Sequence, residues 1–127
     1  MKLGILTFHC ALNYGALLQA FALQRTINGC GAQTEIIDYH CDNIEQAYHL
    51  KKLNECNSLK DFIKYMLCRK YELKRRERFE LFRKNYLKLS KTSFDAVSIQ
   101  SISNMYDKFV VGSDQVWNYK AHNFDKN

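Results

Sequence analysis

Lys2-Leu3-Gly4-Ile5-Leu6-Thr7-Phe8-His9-Cys10-Ala11-Leu12-Asn13-Tyr14-Gly15-Ala16 is the stretch that decides the fold class of this 127-residue chain. Lys2 to Phe8 is a short aliphatic and β-branched run closed by a polar, Gly-containing loop, which is the pattern of a buried strand. Asn13 can cap a following helix with its side-chain oxygen. Beyond it, Ala16, Leu17, Ala20, Phe21, Leu23 and Ile27 recur at helical spacing until Asn28-Gly29 stops the period. Strand, loop and helix in that order open a βαβ unit.

Working outward, Thr34 to Tyr39 (Thr-Glu-Ile-Ile-Asp-Tyr) predicts a second strand, reached through a short turn that contains Gly31. From Ile44 to Leu89 there is neither Gly nor Pro. Leu59, Phe62, Ile63, Met66 and Leu67, and then Phe79, Phe82 and Tyr86, keep a helical period, so two or three helices are expected there. Ser98 to Tyr106 predicts one more short helix. Lys108-Phe109-Val110-Val111 then reads as a compact strand ending at Gly112-Ser113-Asp114. The order β-α-β-(α)n-β predicts an α/β fold with an open, doubly wound parallel sheet. No internal repeat, low-complexity tract or Pro/Gly-rich linker divides it.

Apolar residues make up 46% of the chain and charged residues 25%, which excludes disordered, collagenous and disulfide-scaffold classes. Cys10, Cys30, Cys41, Cys56 and Cys68 are odd in number and widely spaced, with no Cys-x-x-Cys pair. They predict reduced thiols rather than a disulfide framework or a zinc knuckle, and no metal is assigned. The apolar run at the N-terminus is too short for a signal-peptide core, and no run approaches the roughly 18 residues of a membrane span. A cytoplasmic protein without a transmembrane segment is expected.

The net charge of +6 is concentrated between Lys60 and Lys91, where 12 Lys/Arg face 4 Asp/Glu, leaving −2 for the remainder. Such a segment can attract nucleic acid, a phosphorylated lipid carrier or an anionic polysaccharide. On an amphipathic helix it is more often a solvated face. The expectation is no nucleic-acid partner, with residues 60–91 offering a peripheral, basic contact surface.

Two loops follow predicted parallel strands, and ligands of open α/β sheets bind beyond the carboxyl ends of such strands. In the first, His9 to Ala16, Gly15 sits where the helix begins, and a small residue there lets an anion approach the first-turn N–H groups. The plainer alternative is that Asn13 caps, Tyr14 packs and Gly15 avoids a clash. In the second, Gly112-Ser113-Asp114-Gln115-Val116-Trp117-Asn118, Gly112 frees the backbone and Ser113 or Asp114 can cap a helix. Asp114 can also bond sugar hydroxyls or act as a base, and Trp117 offers a flat apolar face to a sugar ring. Its plainer alternative is a cap plus a core tryptophan. If the two strands are neighbours, both loops share one crevice. His9 and Cys10 suggest a nucleophile with its base, but adjacent residues leaving a strand are expected on opposite faces, which disfavours the pair. His40, His49 and His122 have no evident partner, and neither loop shows an evident cationic clamp for phosphate.

Four blocks occur in order: Met1 to His9 (Met-Lys-Leu-Gly-Ile-Leu-Thr-Phe-His), Asn13 to Gln24 (Asn-Tyr-Gly-Ala-Leu-Leu-Gln-Ala-Phe-Ala-Leu-Gln), Glu35-Ile36-Ile37-Asp38-Tyr39, and Val110 to Asn118 (Val-Val-Gly-Ser-Asp-Gln-Val-Trp-Asn). Together they resemble the start of the polysaccharide pyruvyl transferase family. Phe79 to Lys91 also looks like the family's helix leading to the last strand, so the resemblance spans nearly the whole chain. Tyr119 departs from the Pro with which relatives often continue.

The resemblance implies transfer of an enolpyruvyl unit from phosphoenolpyruvate, as co-substrate and with no further cofactor, to two hydroxyls of one sugar. The acceptor would be a polysaccharide or a lipid-linked precursor. The implied fold is the N-terminal, Rossmann-like half of a two-domain glycosyltransferase B-like architecture, cut short at its C-terminus. The donor-site residues are then expected beyond Asn127. On this basis Asp114 is the expected catalytic base, and Asn13, Tyr14, Gly15, Gly112, Ser113, Gln115, Trp117 and Asn118 are expected to bind substrate. The alternative is a non-catalytic carbohydrate- or anion-binding fragment.

Overall fold

The computed structural model describes residues 1–41, 53 and 56–112. In chain order its elements are β1 (Lys2–Leu6), α1 (Tyr14–Gly29), β2 (Gln33–Tyr39), α2 (Leu59–Tyr86), β3 (Leu89–Phe94), a 3-10 helix (Ser98–Asn104) and β4 (Lys108–Val111). The strands form one sheet in the order β3-β2-β1-β4, and every pairing is parallel. This is the α/β, Rossmann-like open sheet expected from the alternation of strands and helices.

Ile5 of β1 is fully buried, and so are Ile36 and Ile37, consecutive residues of β2 whose side chains leave opposite faces. A parallel sheet needs cover on both sides, and both are supplied. On one face, Ile5 and Ile36 pack with Leu17 and Ala20 of α1, Phe79 of α2, and Leu87. On the other, Ile37 and Phe94 pack with Ile102 of the 3-10 helix and with Tyr106. Gly4 keeps that second face close, because a Cβ there would lie 3.0 Å from both Ile37 Cδ1 and the Tyr106 ring.

Helix α1 starts where Asn13, in extended conformation, accepts hydrogen bonds from the Gly15 and Ala16 N–H groups. It ends at a turn in which Gly31 takes φ 84°, a left-handed conformation that glycine adopts without strain. Asn28 ties this end to the sheet, its Oδ1 accepting from both the N–H and the hydroxyl of Thr34. Gln24, although polar, is buried. Its amide forms two 2.9 Å hydrogen bonds with the backbone of Lys88, as another strand would.

Three features differ from the sequence expectation. Strand β1 stops at Leu6 rather than Phe8, because the chain turns at His9 and Cys10. Residues 89–94 form an edge strand, where the resemblance implied that the helix from Phe79 continues to Lys91. Only Ser90 and Phe94 of that strand are buried, so it carries little apolar signal. Its register against β2 is irregular, because Leu89 pairs with Ile36 and Ser93 with Asp38, so β3 advances further than β2 between the two pairs. The Ser90 hydroxyl fills the gap by accepting from the Asp38 N–H. Finally, residues 98–104 are 3-10 rather than α-helical.

Helix α2 is one continuous 28-residue helix capped by Ser58. The earlier part of the predicted helical region, residues 42–52, 54 and 55, lies outside the described residues. A helix of that length runs about 42 Å, about twice the length of the strands it lies on. Accordingly Phe79 is its buried residue, and Leu59, Ile63, Met66 and Leu67 near its start are exposed. They do not supply the packing side that their spacing suggested. No helix among the described residues is long and apolar enough to cross a membrane.

Glu35, on the Tyr106 face, lies 3.0 Å from Lys2 Nζ and 3.6 Å from Lys88 Nζ and accepts from the Tyr106 hydroxyl. Partial burial alone would raise its carboxyl, but the Lys2 hydrogen bond and the two ammonium charges hold it below its ordinary value. A depressed folded value stabilises the fold above the ordinary carboxylate range, and that contribution is lost as pH falls through the folded value. Both lysines are well exposed, so the contribution is below about 1 kcal/mol. Urea unfolding of wild type and Glu35→Gln should therefore differ at about pH 7 and converge toward about pH 3. A gap that persists unchanged at the acid end would contradict this account.

Candidate functional site

The chain lays down β1, β2 and β3 toward one edge of the sheet and then returns to place β4 on the other side of β1. The strand order therefore reverses between β1 and β4, which is where open α/β sheets bind ligands. Leu6 and Val111, the last residues of these strands, are register partners. Just beyond them the Gly112 N–H donates to the Leu6 carbonyl, and the Thr7 hydroxyl donates to the Gly112 carbonyl. The two loops singled out by the sequence therefore begin side by side.

Of the expected site residues, Asn13, Tyr14 and Gly15 stand exposed at the start of α1. Asn13 has its oxygen committed to the first-turn N–H groups. The Tyr14 ring leans on Phe79 at 4.5 Å between centroids while remaining 55% exposed. Gly112 is buried, and a Cβ on it would overlap the Leu23 side chain of α1. What glycine provides there is room for the helix. Ser113, Asp114, Gln115, Trp117 and Asn118 lie outside the described residues, as do His49 and His122.

The structure adds a cluster that the sequence reading had set aside. His9 is fully buried. Its Nε2 lies 2.9 Å from Asp38 Oδ1 and 3.3 Å from Cys10 Sγ, and its Nδ1 lies 3.2 Å from the Thr7 carbonyl oxygen. Opposite faces for His9 and Cys10 would have required the strand to continue through them. Because β1 ends at Leu6 and the chain turns, both side chains reach the same space. His40, for which the sequence offered no partner, places Nε2 3.3 Å from the same Asp38 oxygen.

Asp38 is the centre of the cluster. The His9 hydrogen bond holds its carboxyl far below the usual range against the opposing cost of burial, with the Ser93 hydroxyl and the His40 and His9 charges adding to the shift. Ser93 donates to Asp38 Oδ2 at 2.5 Å, a contact placed by the register shift in β3. Arg83 of α2 brings Nη2 to 3.8 Å from Asp38 Oδ1 and 3.7 Å from Cys10 Sγ, and pairs with Glu80 through Nη1. Arg75, one face of the same helix, donates to the Leu12 carbonyl at 2.7 Å and stacks over Tyr14. Cations thus do reach the first loop, contrary to the sequence expectation, carried there by a helix distant in the chain. The ligand-type atoms of His9, Cys10 and Asp38 all lie within 4.8 Å of one another, and no disulfide joins the chain's five cysteines.

Asp38, one residue before the end of β2 and on the face of Ile36, meets His9 only because β2 lies beside β1, which the sequence did not signal. The place of Arg83 depends likewise on how far α2 slides along the sheet.

A family model described as polysaccharide pyruvyl transferase matches residues 13–127. No curated protein and no solved structure matches the chain.

The packing at Gly112 yields a test of how tightly the switch point is built. Gly112→Ala should cost about 1–3 kcal/mol, as overpacking does, read as a lower urea midpoint. In a Leu23→Ala background the same substitution should cost less, because the overlapping side chain is gone. Additive losses would show that Leu23 does not set the requirement.

Proposed function

The chain belongs to the polysaccharide pyruvyl transferase family, and on that premise we propose that it serves the acceptor side of pyruvyl transfer from phosphoenolpyruvate to a sugar. The acceptor is two hydroxyls of one residue in a polysaccharide or its lipid-linked precursor. The observation that carries this proposal is the adjacency of the β1 and β4 carboxyl ends, from which both candidate loops start.

In the proposed reaction, two sugar oxygens bond to the central carbon of the enolpyruvyl group. Its methylene carbon takes a proton to become methyl, and the bond to phosphate oxygen breaks. Of the two hydroxyl protons, the balance sends one to carbon and one to the departing phosphate. A base must take protons from the attacking hydroxyls, and positive groups must hold the donor's carboxylate and phosphate. Asp114 is assigned the base, with Asn13, Tyr14, Gly15, Gly112, Ser113, Gln115, Trp117 and Asn118 around the sugar. Arg75 and Arg83 are engaged with Leu12, Glu80, Cys10 and Asp38, so the donor cations are assigned to a second half of the fold. A cytoplasmic location, where phosphoenolpyruvate is made, completes the proposal.

The test uses the native protein from its source cells alongside an Asp114→Asn version made there. Phosphate release from phosphoenolpyruvate should require acceptor and fall by about 10²–10⁴-fold in the variant, the range typical of a lost general base. Unchanged turnover would remove Asp114 from the reaction. A wild-type protein that is retained on sugar but releases no phosphate would replace catalysis with carbohydrate binding.

A further inference from the structure

His9, Cys10 and Asp38 each bring one ligand-type atom to within 4.8 Å of the others. The His9 Nδ1 faces the Thr7 carbonyl oxygen at 3.2 Å, which can only accept. Its Nε2 faces Asp38 Oδ1 at 2.9 Å. Cys10 Sγ approaches the same Nε2 at 3.3 Å. Three electron-rich atoms from two neighbouring strand ends therefore converge on one point, and the ring is completely shielded from water. A bound cation satisfies that arrangement.

We propose that His9 Nε2, Cys10 Sγ and Asp38 Oδ1 form a binding site for a zinc-type divalent ion, with His40 as the fourth ligand. One sulfur, one or two imidazole nitrogens and a carboxylate oxygen suit zinc, whereas magnesium and calcium take all-oxygen sets. Tetrahedral zinc with bonds of about 2.0–2.3 Å separates its ligand atoms by about 3.3–3.6 Å. The distances of 2.9 Å and 3.3 Å at His9 and of 3.3 Å between His40 Nε2 and Asp38 Oδ1 are close to that spacing. The remaining edge, between Cys10 Sγ and Asp38 Oδ1, lies within 4.8 Å, and an ion would draw it in by about an ångström.

The outer partners are those of a metal site. The Thr7 carbonyl fixes the His9 ring in the tautomer that leaves Nε2 to bind, and Ser93 holds Asp38 by its other oxygen. His9 and Asp38 are immobilised in the fold, while His40 is 39% exposed on its side chain and gives an ion a way in. Arg83 is the group that opposes a cation, standing 3.7 Å from the sulfur. The site would pin the loop before α1 to the end of β2. It does not depend on the pyruvyl transfer reading, and its test reads metal rather than turnover.

The full chain, reduced and freed of metal, is titrated with cobalt(II) in a Cys30→Ser/Cys68→Ser background that removes the two exposed thiols. Expected are one bound ion per chain, a thiolate-to-cobalt charge-transfer band, and its displacement by zinc. Cys10→Ser should abolish the band, and Arg83→Met should tighten binding several-fold. A band that survives Cys10→Ser, or no binding by the parent chain, overturns the site. Because Cys10→Ser can disturb folding, a second measurement uses the intact parent protein. Zinc should slow alkylation of Cys10, followed by mass spectrometry of its peptide, by at least about tenfold while calcium does not. Equal alkylation rates with and without zinc overturn the proposal independently.

Discussion

Strand β1 pairs on both edges, with β2 on one side and β4 on the other. Buried on both faces, it is short and mainly apolar, and the candidate loop begins where it ends. Its last residue leaves the chain at the one point where the sheet's strand order changes direction. The loop that follows lies between a helix N-terminus, the end of β2 and the end of β4. Thr7 and Gly112 close the β4 side through the hydrogen bonds that continue the ladder, while His9 closes the β2 side by bonding Asp38.

Helix α2 gives the loop its remaining walls. It is too long for the sheet and projects beyond it, yet its second half supplies Phe79 to the core and Arg75 and Arg83 to the loop. These two arginines belong to the basic run that looked, as sequence, like a uniform charged surface. Most of that run is solvated, and Arg75 and Arg83 are half-buried because they face the loop. Both keep a buried Nε without a hydrogen-bond partner. The cost of those groups is offset by the backbone and carboxylate contacts that the rest of each guanidinium makes.

Much of the architecture was legible. The run Lys2 to Phe8, the cap at Asn13, the spacing from Ala16 to Ile27, and the pair of strands ending at Tyr39 and Val111 each carried a local physical signal. The cap, the helix and the two later strands appear where that signal put them, and the first strand ends two residues early, at Leu6. Strand β3 was not legible, because Leu-Ser-Lys-Thr-Ser-Phe buries only two side chains at the sheet edge and follows a helix without a Gly or Pro to mark the change. The Cys10, His9 and Asp38 cluster was missed because alternation was extended two residues past the true end of β1.

By itself, the sequence determined the α/β class, the alternation of strands with helices, and the family, because hydrophobic period, capping and ordered motifs are properties of neighbouring residues. Only the tertiary structure decided that β4 lies beside β1, that a turn brings Cys10 back to His9, that Asp38 from a strand 29 residues away meets that histidine, and that Arg83 reaches both. Those facts depend on strand order and on the sliding of a helix over a sheet. The contacts that fix them join residues far apart in the chain, so no local pattern encodes them.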